Sequence, residues 1–568
     1  MLAKLTAWLD RRTPYILVAL GMIGLAVILQ PALLLRLSPD HNLHPDTLFA
    51  IGFFRLFLAL LVPVVVFWRE LDNGRGRLLL IGLLLVVTLG ARAVRLDTTY
   101  LDQHAHRQTI VATIARNFYE KDANILWPQV NWRADAPNYV ATTFPLVPWL
   151  TALGYRVAGE QPWVGRSLVA LFSALAVVSM FGLVSLYWGQ VAGFLAALFV
   201  ALSPLGIFYG RALIDDVPAM ALGIAGLWGI AVWARRAAGG SPGRGRWPLI
   251  LGIAALALGP LVKNVTLYMD VPVLIVLWER WRWRLVRQPL AWAILGLPLI
   301  PNVAWYAWAY FLSQHYLSLG VLGGPATQEP PSYAAYSKWG TPAFVFRWVF
   351  VQRVGVGVVV RQVLTTAGTV PVILGGVVAW LRRKPGRLVF TSWLLIVLLY
   401  TLATGKVQWY HVYYQIPWIA ALAPFVGLGL ALLWERRGVL RWAAVGFVLL
   451  MAVFSARMLP YYYNDWQGWI LPETEFVQSI TGPEDRVITI TMEGDTALLY
   501  HLRRPGWVVD FTDPAQLAQV PDHIAHGARL LILQDLEFPQ AKTLPDQPWV
   551  HGLALLDSSE HYRIYRLP

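Results

Sequence analysis

Apolar runs of about 18–20 residues, the length needed to cross bilayer hydrocarbon, recur along most of the chain and leave few folds open. Inside lipid, only α-helices and closed β-barrels satisfy every backbone polar group. A barrel would read as short segments of alternating polarity, which these runs are not. The expectation is a polytopic α-helical membrane protein of about 13 transmembrane helices, at roughly 14–35, 47–68, 77–95, 164–187, 191–209, 217–234, 248–265, 267–279, 289–311, 366–381, 388–404, 413–434 and 440–458. Composition agrees. The chain is 57% hydrophobic and 14% charged, whereas soluble domains lie near ~45–50% and ~25%. There is no cysteine, which excludes disulfides, thiolate metal sites and thiol nucleophiles.

The net charge of +14 has a topological reading. Arg12 precedes the first span. Arg69 and Arg77 follow the second, Arg235 and Arg236 the sixth, Arg280 and Arg282 the eighth, Arg382 and Arg383 the tenth, and Arg436 and Arg441 the twelfth. Basic residues in short loops mark the cytoplasmic side, so the charge predicts orientation and no nucleic-acid partner. The N-terminus is then cytoplasmic. The large connections are extracytoplasmic: a loop at about 96–163, the Asp215-Asp216 turn, a loop at about 312–365 and the turn at 405–417.

The tail differs in kind. Arg486–Thr491 and Ala528–Gln534 read as short buried strands, Asp513 followed by Pro514 as a helix start, and His561–Leu567 as an edge strand. The division expected is a transmembrane catalytic domain at 1–458 and a small extracytoplasmic α/β domain at 459–568, without a phosphate-binding glycine loop.

Carboxylates at the ends of membrane spans are costly and mark functional sites. Two such sites fall on the extracytoplasmic side: Asp102, and the pair Asp215 and Asp216. Around Asp102 stand His104, His106 and Arg107. In an extended chain, alternate residues share a face, so Asp102, His104 and His106 offer a mixed carboxylate–imidazole set for a divalent metal ion. The competing reading of Asp102 is a helix cap or an ion pair with Arg95 or Arg107. The spacing from Ile110 to Tyr119 suggests a helix lying along the membrane interface.

The order of motifs resembles the GT-C superfamily of polyprenyl-phosphate-dependent glycosyltransferases, and more narrowly the ArnT and protein O-mannosyltransferase group. After Asp102 come Pro145-Leu-Val-Pro-Trp-Leu150, then Gly159 to Val169 with Arg166 and Ser167, then Ser203-Pro204 with Arg211 and Asp215-Asp216. Gly259-Pro-Leu-Val-Lys263 and the turn from Lys406 through His411 to Pro417 complete the series. Two features depart from that pattern: Gln103 follows Asp102 where an acid is usual, and Thr142-Thr143 stand where a lysine precedes the proline-rich segment.

The resemblance implies an inverting transfer of a sugar from a polyprenyl phosphate to an acceptor hydroxyl on a glycan, lipid or protein, with no cofactor required. A carboxylate takes the acceptor proton, and Asp102 is the candidate base. The leaving lipid phosphate needs cations. Arg211, Lys263, Lys406 and His411 are the candidates, with Arg347, Arg353 and Arg361 as a further trio. Arg107 and Tyr413 are candidate substrate contacts. Asp215 or Asp216 orients the acceptor, positions a metal or fixes an arginine. An oligosaccharide ligase of related architecture and a transporter are the alternatives; a transporter would place its polar residues at mid-span within repeated halves.

Overall fold

The computed structural model describes residues 2–37, 43–69, 74–134, 136–238, 246–319, 339–436 and 438–568. Part of the expected loop at 312–365 lies outside them. The chain divides into two compact units. One comprises Met1–Leu96, Arg166–Pro301 and Lys338–Tyr463; the other comprises Asp97–Gly165, Asn302–Ser337 and Asn464–Pro568.

The first unit is a bundle of apolar helices, and the protein is a polytopic helical membrane protein. Among the described residues, six helices are long and apolar enough to span: Pro45–Phe67, Pro162–Trp188, Asp216–Arg236, Pro289–His315, Val412–Glu435 and Val439–Tyr463. Five shorter apolar helices accompany them: Arg12–Ile28, Gln190–Leu202, Arg246–Val262, Thr369–Leu381 and Arg387–Ala403. Each overlaps an expected span. Lipid gives helices no hydrophobic reason to associate, so close packing over small residues holds them together. A Cβ at Gly375 would collide with the Phe425 carbonyl, and one at Gly429 with the Pro371 carbonyl. Those two glycines therefore let the helices Thr369–Leu381 and Pro417–Glu435 touch backbone to backbone.

Many of the bundle's arginines cap helices. The last carbonyls of a helix lack intrahelical partners and carry its negative dipole end. Arg12 donates to Val66 O at 3.3 Å, Arg235 to Leu186 O at 2.7 Å, Arg280 to Ala234 O at 2.7 Å and Arg441 to Trp434 O at 3.1 Å. Each accepting residue lies in the last turns of its helix. Basic residues of the connecting loops therefore also satisfy backbone. Arg55, mid-span in its helix, follows the same rule and donates to Ala26 O at 2.8 Å.

The second unit is a mixed α/β body assembled from three stretches of chain. Strands β1 (Val140–Ala141) and β2 (Leu317–Ser318) pair in parallel. Strands β3 (Arg486–Thr491), β4 (Gly506–Asp510), β5 (Ala528–Leu533), β6 (Ala554–Ser558) and β7 (Arg563–Arg566) form one sheet in the order β4-β3-β5-β7-β6. The first three strands are parallel, and β7 runs antiparallel to both β5 and β6. The closing strand is thus internal and not the expected edge, because β6 pairs along its outer side. Asp513 caps as expected: its carboxylate accepts from Ala515 N at 2.9 Å, on a helix only four residues long.

One hydrophobic core joins the stretches. Ile110, Ile114 and Phe118 of the helix Ala105–Glu120 pack with Val140, Leu317, Val477, Val487, Leu498 and Ile564. That helix is buried on nearly every turn. It lies within a globular core, buried on nearly every side where the spacing suggested one apolar face.

Candidate active site

In the first unit, the chain after Leu202 breaks at Ser203, forms the short helix Pro204–Tyr209, and turns into the helix Asp216–Ala238. This break puts Asp215 and Asp216 at a helix N-terminus, where backbone N–H groups favour negative charge. Both are buried, at 5% and 7% exposure. The preceding turn is held by Arg211, which is fully buried. Its guanidinium donates to Arg95 O at 3.1 Å and lies 4.2 Å from the Tyr463 ring centre. Arg166 donates to the same carbonyl at 3.0 Å. Arg95 has a left-handed φ of 54°, and that backbone turns its carbonyl toward two guanidinium groups.

Lys263 follows the helix Arg246–Val262 in an extended conformation, and its Nζ meets Asp216 Oδ1 at 2.5 Å. The ammonium also lies 5.0 Å and 4.8 Å from the ring centres of Tyr413 and Tyr414, within cation–π range. These tyrosines come from the 3-10 turn Val412–Gln415, and His411 stacks on Tyr413 at 5.3 Å. Asp216, Lys263, Thr266, Tyr268, Tyr400 and Tyr414 line a small pocket. Asp216 Oδ2 is buried there without a hydrogen-bond partner. A buried carboxylate oxygen in that condition costs free energy unless something donates to it, so Oδ2 is an acceptor that a donor from outside the protein can use.

Sequence reasoning selected Asp216, Lys263, His411 and Tyr413 separately, and the fold brings them together. It treated Lys263 as a phosphate contact and did not anticipate the ion pair with Asp216. It missed Tyr400, Tyr414 and Thr266. The adjacency of Tyr414 to Tyr413 was the one available signal. Lys406 sits half-buried on the short helix Gly405–Tyr410 that leads into His411. Arg353 and Arg361 lie on the exposed side of a π-helical segment, Val351–Val363, whose buried positions are Val354, Val358 and Val363. The Arg353 guanidinium covers the Trp409 ring at 4.4 Å.

In the second unit, Asp102 is buried at 2% exposure and accepts from Gln108 Nε2 at 2.6 Å. Gln108 is one helical turn further on and also donates to Gln103 O at 3.1 Å. The Gln108 amide thus helps orient the carboxylate. Gln467 N donates to Leu101 O at 3.4 Å, which ties the Asp102 turn to the tail.

The metal reading of Asp102, His104 and His106 required an extended chain. The backbone is not extended: His104 is left-handed at φ 58° and caps the helix that begins at Ala105. His106 faces the tail, with Nδ1 3.3 Å from Thr496 N and 3.4 Å from Asp495 Oδ1. Among the described residues, no group of three or more His, Cys, Asp or Glu converges as metal ligands. Arg107 lies half-buried on the first turn of the same helix. Burial alone would raise the Asp495 carboxyl, but bonds from His106, Gln467 and the Ala497 N–H outweigh it and hold Asp495 below the usual carboxylate range.

Glu160 anchors a second network. It accepts from Arg116 Nε at 2.8 Å, from Tyr500 Oη at 3.2 Å and from Arg503. Arg116 also donates to Tyr500 O at 2.7 Å. Burial raises the Glu160 carboxyl, and the two arginines bring it below its ordinary value. This network packs the helix Ala105–Glu120 against the helix Ala497–Leu502.

Comparison with known proteins supports this architecture. Residues 137–308 match the family described as dolichyl-phosphate-mannose-protein mannosyltransferase. The structure is similar to that of ArnT from Cupriavidus metallidurans bound to undecaprenyl phosphate: TM-score 0.60, 15% identity, 87% of this chain and 99% of that one. It is also similar to the archaeal oligosaccharyltransferase AglB from Archaeoglobus fulgidus, in complex with an inhibitory peptide and a dolichol-phosphate: TM-score 0.54, 10% identity, 86% of this chain and 74% of that one. No curated protein sequence matches the chain. The fold is the one seen in ArnT and AglB, as the motif order implied.

Proposed function

We propose that this protein is an inverting glycosyltransferase that moves a sugar from a polyprenyl phosphate to an acceptor hydroxyl on the extracytoplasmic side of a cell membrane. The observation that carries the reading is the Asp216–Lys263 pair. A buried carboxylate with one unpartnered oxygen and an ammonium under two tyrosine rings end a bundle of GT-C fold. The two polyprenyl-phosphate-bound neighbours support the donor class.

The reaction forms a bond from the acceptor oxygen to the anomeric carbon while the bond from that carbon to the phosphate oxygen breaks. The acceptor proton passes to a carboxylate, for which Asp102 is the candidate. The polyprenyl phosphate leaves with the bonding pair. Its developing charge needs cations, and Lys263 leads that role, with Lys406 and His411 as further candidates. Asp216 holds Lys263 with one oxygen and accepts from a substrate hydroxyl with the other. Asp215, Arg107 and Tyr413 remain candidate substrate contacts, and Arg211 supports the turn that carries Asp215 and Asp216. The acceptor is a hydroxyl of a glycan, lipid or protein. A monosaccharide donor is favoured by the motif order; the likeness to AglB keeps an oligosaccharide donor as the second reading.

The test is transfer by purified protein in lipid, wild type beside Asp102→Asn and Asp216→Asn. Each variant is expected to lose at least about 100-fold in rate, the lower end of what a positioned base supplies, with unchanged helical content. A fully active Asp102→Asn enzyme would remove Asp102 from the mechanism. A fully active Asp216→Asn enzyme would remove the pocket.

A further inference from the structure

The end of the helical unit away from the acidic pocket carries a segment that the proposed reaction does not use. The helix Asp216–Ala238 starts at the pocket, and Arg280 donates to Ala234 O near its other end. Ala234 lies about 27 Å along that helix from Asp216, at ~1.5 Å per residue. There the helix Asp270–Trp281 ends because Arg282 takes a positive φ of 52°. The chain winds into a 3-10 turn, Arg282–Arg287, before the helix Pro289–Gly296. A 3-10 helix has three residues per turn, so residues three apart eclipse one another. That period sorts the turn into three edges. One faces the bundle: Leu285 is buried, and Arg282 folds over the Trp278 ring at 4.5 Å. The second is apolar and open, with Trp283 84% and Val286 68% exposed. The third is basic and open, formed by Arg284 and Arg287.

The apolar edge extends onto the next helix, where the exposed Trp292 donates from Nε1 to Val286 O at 3.1 Å. That helix begins the apolar stretch Pro289–His315, one of the candidate spans, so the turn lies where the bundle meets a bilayer surface. Tryptophans suit the headgroup level. The basic edge is not neutralised from within. From 217 to 328 the sequence holds two acids, Asp270 and Glu279. Asp270 begins the helix that ends at Trp281 and so lies at its far end. Glu279 has Arg235, Arg282 and Arg387 as its charged neighbours. Among the described residues, no acid pairs with Arg284 or Arg287. Residues 239–245, outside the described ones, contain no acid.

We infer that the turn Arg282–Arg287 is a docking site for the headgroups of anionic phospholipids: Trp283, Val286 and Trp292 enter the bilayer surface, and Arg284 and Arg287 take the phosphate. An apolar edge beside a basic one matches a molecule that is apolar in its chains and anionic at its head. The planar fork of a guanidinium suits phosphate oxygens, which it meets with two donors at once. A basic loop that only sets topology needs no apolar edge alongside its charges, so the pairing of the two edges is what points to docking. A polyprenyl phosphate whose phosphate meets Lys263 is held at the opposite end of the helix Asp216–Ala238 and is not the occupant. The inference does not depend on the proposed reaction.

The chain has no cysteine, so Val286→Cys gives a single attachment point for a fluorophore in the full-length protein. The labelled protein is placed in nanodiscs of equal phosphatidylglycerol and phosphatidylcholine, one of the two lipids carrying bromine near the headgroup end of its chains. One arginine near an anionic surface is worth about fivefold, so brominated phosphatidylglycerol should quench as though enriched at least about fivefold over brominated phosphatidylcholine. Arg284→Gln with Arg287→Gln should bring the two lipids to equal quenching. Arg382→Gln with Arg383→Gln, on another loop, should leave the preference intact. All four arginines are exposed, so circular dichroism should stay helical in both double variants. Four results would overturn the inference: equal quenching by both lipids before any arginine is changed, quenching by neither, a preference that survives loss of Arg284 and Arg287, or one abolished by loss of Arg382 and Arg383.

Discussion

Buried charge is held by backbone carbonyls at several places in the helical unit and by opposite charges at several places in the α/β unit. In the helical unit, the buried Arg92 donates to Thr88 O at 3.0 Å, Ala201 O at 3.2 Å and Gly206 O at 2.8 Å, and Arg211 and Arg166 share the Arg95 carbonyl. In the α/β unit, charges meet opposite charges: buried Arg116 and half-exposed Arg503 surround Glu160, and partly buried His106 lies against Asp495. Helices in lipid end in carbonyls that water cannot reach, so a guanidinium there satisfies backbone that nothing else would. A globular body has few such orphans, and its buried ions must be neutralised by other side chains. The helical unit also holds the Asp216–Lys263 pair. It is an ion pair of the kind found in the α/β unit, set in the helical one, and one of its carboxylate oxygens is left over.

That contrast can be broken by mutation. Glu160→Ala leaves Arg116 and Arg503 without their shared anion and should cost about 3–5 kcal/mol, the range for orphaning a buried charge. Arg92→Met removes bonds to carbonyls but strands no ion, and should cost about 1–3 kcal/mol. Hydrogen exchange by mass spectrometry reads both: deprotection over 105–120 and 497–503 for the first, and over 84–92 and 201–209 for the second. Equal costs would mean that the two strategies are energetically the same.

A smaller effect sharpens the comparison through pH. Glu473 is fully buried and accepts from Gln534 Nε2 at 2.9 Å. Burial pushes its carboxyl well above the usual range, and burial likewise raises Asp535 to about 6. A raised acid holds its proton more tightly when folded. Its contribution is full below the unfolded pKa and is lost as pH rises through the folded one. For Asp535 that window runs from its ordinary value of 3.8 to about 6. Asp495 and Glu160, held low, lose their contributions in the opposite direction, as pH falls. Glu473→Gln copies the protonated acid. It should therefore slow exchange in the α/β unit at pH 8 and change nothing at pH 4. Destabilisation at pH 8 would show that Glu473 is ionised and paired.

The smallest expected effect is none. His106 is engaged by the tail and His104 holds the N-cap position of a helix, away from the extended geometry a shared metal would need, so EDTA should leave sugar transfer unchanged. Loss of activity restored by a divalent ion would return a metal to the site.

The two units also differ in how much of them could be read in advance. The spans were legible because lipid forces each segment to satisfy its own backbone, so length and polarity decide the element locally. The strands β3 and β5 were legible as apolar runs. The joint core was not: Ile110, Leu317 and Ile564 lie far apart in sequence, and no local pattern announces that they pack together. The same limit governed the site. Asp216 and Lys263 were each visible as costly charges at span ends, but their pairing depends on how the helices Asp216–Ala238 and Arg246–Val262 pack. The extended chain assumed for Asp102, His104 and His106 is interrupted by one backbone angle, the left-handed φ of His104.

The most direct test of the central claim is sugar release from a panel of radiolabelled polyprenyl-phosphate monosaccharides by the purified protein in lipid, with Asp102→Asn alongside. Release or transfer from at least one donor by wild type alone is the predicted result. Turnover that Asp102→Asn retains in full, or none with any monosaccharide donor by folded protein supplied with glycan, lipid and peptide acceptors, would contradict it.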